Sequence, residues 1–271
     1  MTDPSVEIHP SAVIDEGAEL GKNVKIGPFC VVEKRVKLRD NVHLVGHAVI
    51  MGDTEIGANT VVHPFASVGN MPQDLKYNGE NSRLIIGKNN VIRENVTMNP
   101  GTEGGGMVTR IGDDCLFMAG SHVAHDCQVG SHVIFANNAT VGGHCIIGDF
   151  VVLGGLSAVH QFVRIGKLAF IGGMSGIEND VIPFATALGN RAHLGGLNVV
   201  GMKRCGFEHK QIHIIRDAYR LLFAEEGTIQ ERRQQLAELY EGNENIDEML
   251  IFLDEGAQRS LCTPSSRNRN G

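Results

Sequence analysis

His122, His125, His144 and His160 lie within 39 residues of a chain that has 12 histidines in all. An imidazole titrates close to neutral pH, so such a cluster can take a proton from a hydroxyl nucleophile or hold a zinc ion. Asp126 follows His125 directly. A carboxylate there could orient the ring and stabilise the imidazolium, although successive residues of a strand point to opposite faces. Any one of these histidines would sit comfortably in a surface turn; four together call for an account of what positions them.

The positioning element is a six-residue repeat. From Ile8 an apolar residue recurs at every sixth position, through Ile14, Leu20, Ile26 and Val32 without a break to Val68. The register resumes at Ile86, Ile92 and Met98, and again from Ile111 to Ile177. With 42% of the chain hydrophobic, the chance that all 26 of these sites are apolar is about 10⁻¹⁰ before allowing for the choice of register. Four places further on comes a second, smaller inward residue, such as Ala18, Cys30, Ala48 or Thr60, and the place just after the large aliphatic is often glycine, as at Gly27, Gly57 and Gly112. Such hexads mark a parallel β-helix, one short strand per hexad stacked on the coil below. Cys30, Cys115, Cys127 and Cys145 all fall at the small inward position, where thiols serve as small hydrophobes.

Three hexads close one triangular coil, so residues 18 apart lie above one another at about the inter-strand spacing of 4.8 Å. His125, Gly143 and Gln161 form such a column. A base lies beneath an unobstructed backbone amide and a carboxamide, which suits acyl transfer: the imidazole takes the hydroxyl proton and an N–H faces the developing oxyanion. Zinc is the rival use of the cluster, with His122, His125 and His144 as three imidazole ligands. A pure scaffold would leave the histidines without a role. Asn137, Gly155 and Gly173 make a second column, whose glycines leave a groove open.

Composition narrows the partners. The formal net charge of −7 argues against a protein that grips nucleic acid. Met1 to Pro10 lacks the basic start and apolar stretch of a signal peptide, no run reaches the roughly 18 apolar residues of a membrane span, and the six cysteines are scattered. A cytoplasmic protein without membrane insertion is expected.

The expected organisation is a β-helix over residues 1–189, interrupted by loops at 70–83 and 100–110, an α-helical part over 190–261, and a disordered polar tail over 262–271. The second loop, with GTEGGG, lacks the GK[ST] of a phosphate loop and is expected to be a mobile flap. Helical periodicity covers Glu208 to Phe223, Thr228 to Glu241 and Ile246 to Asp254. Between Lys203 and Arg220 five basic residues, Lys203, Arg204, Lys210, Arg216 and Arg220, face two acidic ones, a patch that could receive an acidic protein.

Residues 120–161, with GSHVAHDCQVG, FANNATVGGH and GGLSAVHQF, together with QDLKYNGE in the first loop and GLNVVGMKRCGF after the hexads, resemble the UDP-N-acetylglucosamine 3-O-acyltransferases that begin lipid A synthesis. The resemblance spans nearly the whole chain. It implies a left-handed parallel β-helix with a C-terminal α-helical cap, assembled as a homotrimer with active sites between subunits. It implies acyl carrier protein as the donor of an (R)-3-hydroxyacyl chain and a sugar 3-hydroxyl as nucleophile, with neither cofactor nor metal. Carried over by position, His125 is the general base, Asp126 its partner and Gly143 the oxyanion amide. Asp74, Lys76, His122, His144, His160 and Gln161 line the sugar and acyl site, Gly155 and Gly173 the acyl groove, and Asn198 and Arg204 the nucleotide end. Glycine at 173, where the family resembles a chain-length stop, implies a long acyl chain. Val200, Cys205 and the Asn99–Pro100 pair depart from the family pattern, which leaves the uridine contacts and the choice between a 3-hydroxyl and a 3-amino acceptor open. The related N-acyltransferase carries a uridine-binding domain before its solenoid, for which hexads starting at Ile8 leave no room. The alternative is a zinc-dependent hydratase resembling the hexapeptide-repeat γ-carbonic anhydrases.

Overall fold

The computed structural model describes residues 3–254 and 258–265. Its main body is a parallel β-helix whose short strands form three sheets of 11, 9 and 8 strands. Strands of two residues end on the large aliphatic of each hexad, and pairing follows the 18-residue arithmetic: Val32 lies over Ile50, Phe117 over Phe135, Val123 over Val141. Both insertions keep register, with Val62 paired to Ile92 and Ile92 to Phe117. The inward side chains from Ile26 to Ile177 are buried, whereas Ile8 is exposed and Ile14 and Leu20 half-buried, because among the described residues their strands stand at the outer edges of the three sheets.

Most corners are turned by the residue three places after the aliphatic, which takes a left-handed conformation, as at Asn59 (φ 61°) and Asp126 (φ 61°). Asparagine tolerates this region best among residues with a side chain, and at one corner it also forms a ladder. The Nδ2 of Asn23, Asn41, Asn59 and Asn89 donates in turn to Oδ1 of Asn41, Asn59, Asn89 and Asp114, at 3.0 to 3.1 Å. The glycine after the aliphatic has a different reason. A Cβ at Gly27 would stand 2.0 Å from the Val45 carbonyl oxygen, so the close stacking of coils, and not positive φ, demands glycine there.

The insertions are slightly shorter than the sequence implies, because Arg83–Ile86 and Val108–Ile111 are strands that rejoin the ladder. The region from residue 190 does not begin as helix. Ala185–Leu188 ends the parallel stack, and His193–Leu197 folds back antiparallel along it, which pairs the otherwise open strand edge.

Among the described residues four helices follow: α1 (Val199–Arg204), α2 (His209–Leu222), α3 (Ile229–Leu239) and α4 (Glu244–Asp254). The short α1 carries no clear periodic signal in the sequence. Thr228 and Glu231 cap the start of α3 reciprocally. Arg164, buried at the end of the solenoid, pairs with Asp180 at 2.8 Å, donates to the Phe252 carbonyl and lies 4.5 Å over the Phe252 ring, joining α4 to the coil. The disorder expected from residue 262 does not hold for residues 262–265. Cys262 is buried and its N–H donates to the Asp180 carbonyl, while Thr263 accepts from the Leu194 N–H, so the coil end supplies the backbone partners this segment needs. The rest of the expected tail, 266–271, lies outside the described residues. Among the described residues no helix is long and apolar enough to cross a membrane.

Candidate active site

His125 and Asp126 sit at a corner, not along a strand, and this removes the objection that neighbours must diverge. The left-handed turn at Asp126 swings its carboxylate back under the imidazole, so that Nδ1 of His125 lies 2.8 Å from Asp126 Oδ2. A carboxylate can only accept here, so His125 carries its proton on Nδ1 and leaves Nε2 as the basic nitrogen.

Asp126 is held by the second insertion. Its Oδ1 accepts from the Thr102 N–H at 2.8 Å, its Oδ2 from the Thr102 hydroxyl at 2.6 Å, and its own N–H donates to the Thr109 hydroxyl at 2.7 Å. The glycine-rich segment is therefore packed onto the site and is not a free flap: a Cβ at Gly105 would stand 2.0 Å from Asp126 Cγ. Burial of the wholly covered carboxylate pushes its pKa up, but the hydrogen bonds from His125 and Thr102 outweigh this and hold it below the usual value. Asp126 stays charged beside an imidazole that gains charge when it accepts a proton.

The sequence column is present. The N–H of His144 donates to the His125 carbonyl and that of Phe162 to the Gly143 carbonyl, which stacks the corners at 125, 143 and 161. A Cβ at Gly143 would stand 2.5 Å from Cε1 and 2.7 Å from Nε2 of His125, so any side chain there would displace the ring. Among the described residues the Gly143 N–H has no hydrogen-bond partner, which leaves it free to meet an oxyanion.

His122, His125, Gly143, His160 and Gln161 share a groove of about 420 Å³ with Gln73, Asn99 and Ala124. His122 is anchored by Thr97 (Nδ1 to Oγ1, 2.7 Å), and burial, with His125 nearby, holds its pKa below the usual value. His144 stacks on Phe162 with ring centroids 4.4 Å apart and meets the His125 ring edge-on at 5.0 Å. Burial lowers its pKa too; Asp126 and Asp74 oppose that shift while His125 and Lys76 add to it, which puts Asp74 and Lys76 of the first insertion within electrostatic reach of the cluster.

Gly155 and Gly173 stack as expected outside this groove. A Cβ at Gly155 would meet nothing closer than 3.4 Å and one at Gly173 nothing closer than 3.3 Å, so the surface along them is open. Asn198 and Arg204 do not join the cluster. Asn198 caps α1, its Oδ1 accepting from the Gly201 N–H and its Nδ2 donating to the Leu168 carbonyl, both at 2.9 Å, and Arg204 is exposed in the last turn of α1. Thr102 and Arg259 escape sequence reasoning because neither belongs to the hexad register, whereas Thr109, two places before Ile111 and paired with Leu84, holds a small inward position that the expected loop at 100–110 covers.

The three imidazoles named for zinc do not converge. Among the described residues the group with ligand atoms within 4.8 Å of one another is His125, Asp126 and His144, and His122 is committed to Thr97. Both Asp126 oxygens already accept hydrogen bonds. The donor set thus suits a proton-transfer dyad better than a metal.

Comparison with known proteins agrees with this geometry. The pattern described as bacterial transferase hexapeptide (six repeats) matches residues 109–143, and that of the UDP-N-acetylglucosamine O-acyltransferase, domain 2, matches residues 180–262. An acyl-[acyl-carrier-protein]–UDP-N-acetylglucosamine O-acyltransferase from Rickettsia bellii is 54% identical over 256 residues, covering 94% of this chain and 91% of its own. A crystal structure of a UDP-N-acetylglucosamine acyltransferase superimposes with a TM-score of 0.93 at 45% identity, covering 96% of this chain and 100% of that one. The same enzyme from Campylobacter jejuni gives 0.90 at 42% identity, with 96% and 100% covered. A histidine–aspartate dyad beneath a free amide on a hexapeptide β-helix, with full-length identity of this order, places the chain in the acyl-[acyl-carrier-protein]–UDP-N-acetylglucosamine O-acyltransferase family, which opens lipid A synthesis.

Proposed function

We propose that this chain moves an (R)-3-hydroxyacyl group from acyl carrier protein to the 3-hydroxyl of UDP-N-acetylglucosamine, with His125 as general base. The observation that carries this reading is the arrangement of Asp126, His125 Nδ1 and the Gly143 amide around one imidazole. Nε2 of His125 takes the proton of the sugar hydroxyl as its oxygen attacks the thioester carbonyl. The tetrahedral oxyanion is met by the Gly143 N–H, and its collapse expels the carrier thiolate, to which the imidazolium returns the proton. Asp126 stabilises that imidazolium without itself being protonated.

The donor and acceptor are those in the relatives' name. Asp74, Lys76, His122, His144, His160 and Gln161 line the sugar and acyl site in this reading, Gly155 and Gly173 the chain's path, and Asn198 and Arg204 the nucleotide end. For Asn198 that role has to run through the backbone it organises, since its carboxamide already caps α1. The basic residues of α1 and α2, Arg204, Lys210, Arg216 and Arg220, offer an acidic carrier a complementary surface. The functional unit is a homotrimer. One sheet presents an outward row of apolar side chains, Val91, Leu116, Ile134, Val152 and Phe170, half-exposed in the single chain, that a second copy would cover.

Purified protein incubated with labelled UDP-N-acetylglucosamine and 3-hydroxyacyl carrier proteins of several lengths should release an O-acylated sugar nucleotide. His125→Ala should lower the rate by about 10²- to 10⁴-fold while circular dichroism stays unchanged. An intact rate in that variant would remove His125 from the chemistry.

A further inference from the structure

Arg259, in the described stretch 258–265, brings its guanidinium to the rim of the groove. Arg259 Nε donates to the Gln161 carbonyl at 3.1 Å, and its Nη2 lies 2.6 Å from Nδ1 of His160. The segment is fixed just beyond this point: Ser260 accepts from the Asp180 N–H, and Cys262 donates to the Asp180 carbonyl. Arg259 is therefore placed by a backbone ladder and does not hang from a loose end.

These contacts dictate where the His160 proton resides. Nδ1 of His160 also lies 3.1 Å from the carbonyl oxygen of Gln161, a good acceptor for an Nδ1–H. A guanidinium has only donors, so the nitrogen that faces Nη2 must accept, and Nε of the same arginine takes the carbonyl oxygen that an Nδ1–H would have used. The ring proton is left on Nε2. Without Arg259, Nδ1–H could bond to Gln161 O, and Nε2 would become an acceptor instead of a donor.

We infer that Arg259 is a positioning residue that fixes His160 as the Nε2–H tautomer, so that the ring donates a hydrogen bond to a substrate oxygen in the groove it lines. The functional half of this inference rests on the acyl-transfer reading of that groove; the tautomer does not. The oxygen served is an acceptor, such as a carbonyl, phosphate or hydroxyl oxygen, and a group able only to donate would be refused.

The test uses the full chain labelled with ¹⁵N-histidine, the His160 ring signals being assigned by their loss in His160→Ala. Imidazole ¹⁵N shifts should report Nε2–H in the unaltered protein and a change toward Nδ1–H in Arg259→Gln, with Arg259→Lys, which keeps one charged donor, in between. kcat/KM for acyl transfer should fall about tenfold in Arg259→Gln, the value of one hydrogen bond, and show no further fall when Arg259→Gln is added to His160→Ala. An Nδ1–H signal in the unaltered protein, or the same tautomer in Arg259→Gln, overturns the inference. A tautomer that switches with no change in kcat/KM overturns its functional half. Full activity in His160→Ala would instead remove His160 from the acyl-transfer site and leave the tautomer result standing.

Discussion

Asp126 Oδ2 lies 2.8 Å from Nδ1 of His125, its immediate neighbour in the chain, because a left-handed corner, φ 61°, folds the carboxylate under the ring. The same oxygen accepts the Thr102 hydroxyl at 2.6 Å, so the dyad is tied to the glycine-rich insertion. Chemistry and loop are one mechanical unit.

That unit can be dissected. Asp126→Asn should cost kcat about 10²-fold or more, since an amide oriented by Thr102 can turn an N–H toward Nδ1 and leave the proton on the wrong nitrogen. Thr102→Val keeps the shape but removes one charge-assisted hydrogen bond and should cost about tenfold in kcat with little change in KM. Steady-state kinetics on both variants checks this, and a Thr102→Val enzyme altered only in KM would place the threonine in substrate binding instead.

Thermal stability should fall at both ends of the pH range. His122 and His144 have folded pKa values below the 6.5 of a free imidazole, so the unfolded chain binds protons first as pH drops below 6.5; stability is full above that value and is lost on acidification. Asp126, also lowered from 3.8, extends the loss to more acid pH. The buried Cys115 thiol is pushed up from 9.0 to about 11, so its contribution is full below pH 9.0 and is lost as pH rises toward 11. Melting temperature followed from pH 4 to 11 should trace a dome, and the acid arm should flatten in His122→Asn, a variant with one fewer titrating imidazole. An acid arm of unchanged slope there would deny His122 its share.

Chain-length choice should answer to Gly173. A Cβ at that position meets Gly155 O at 3.3 Å, close enough to need only a small adjustment, and the rest of a methionine side chain would extend over the open surface. Gly173→Met should shift preference toward shorter acyl donors in a competition among carrier proteins of several chain lengths. Unchanged selectivity would mean that the acyl chain runs elsewhere.

The asparagine ladder should stabilise the N-terminal coils measurably. Asn59 adopts φ 61° and bonds to Asn41 and Asn89, each at 3.0 Å. Asn59→Ala should cost about 1–2 kcal/mol in urea unfolding from the left-handed penalty and the two lost bonds, discounted because the site is exposed. Asn59→Gly, free of the backbone penalty, should cost less, and equal losses in the two variants would leave the corner conformation without an energetic role.

Much of this protein was legible in its residues because its period is local arithmetic. An aliphatic every sixth position sets the strands, the 18-residue coil sets what stacks on what, and the columns of His125, Gly143 and Gln161 and of Gly155 and Gly173 follow. Buried Cys30, Cys115, Cys127 and Cys145 were readable for the same reason. Only the tertiary structure decided what lies outside the period. Thr102 reaches Asp126 from 24 residues away, Arg259 reaches His160 from 99 residues away, and His193–Leu197 returns as a strand to close an edge. A repeat constrains neighbours at fixed separations, whereas the path of an insertion, or of a chain leaving the last coil, depends on which polar groups and edges the finished solenoid leaves unpaired.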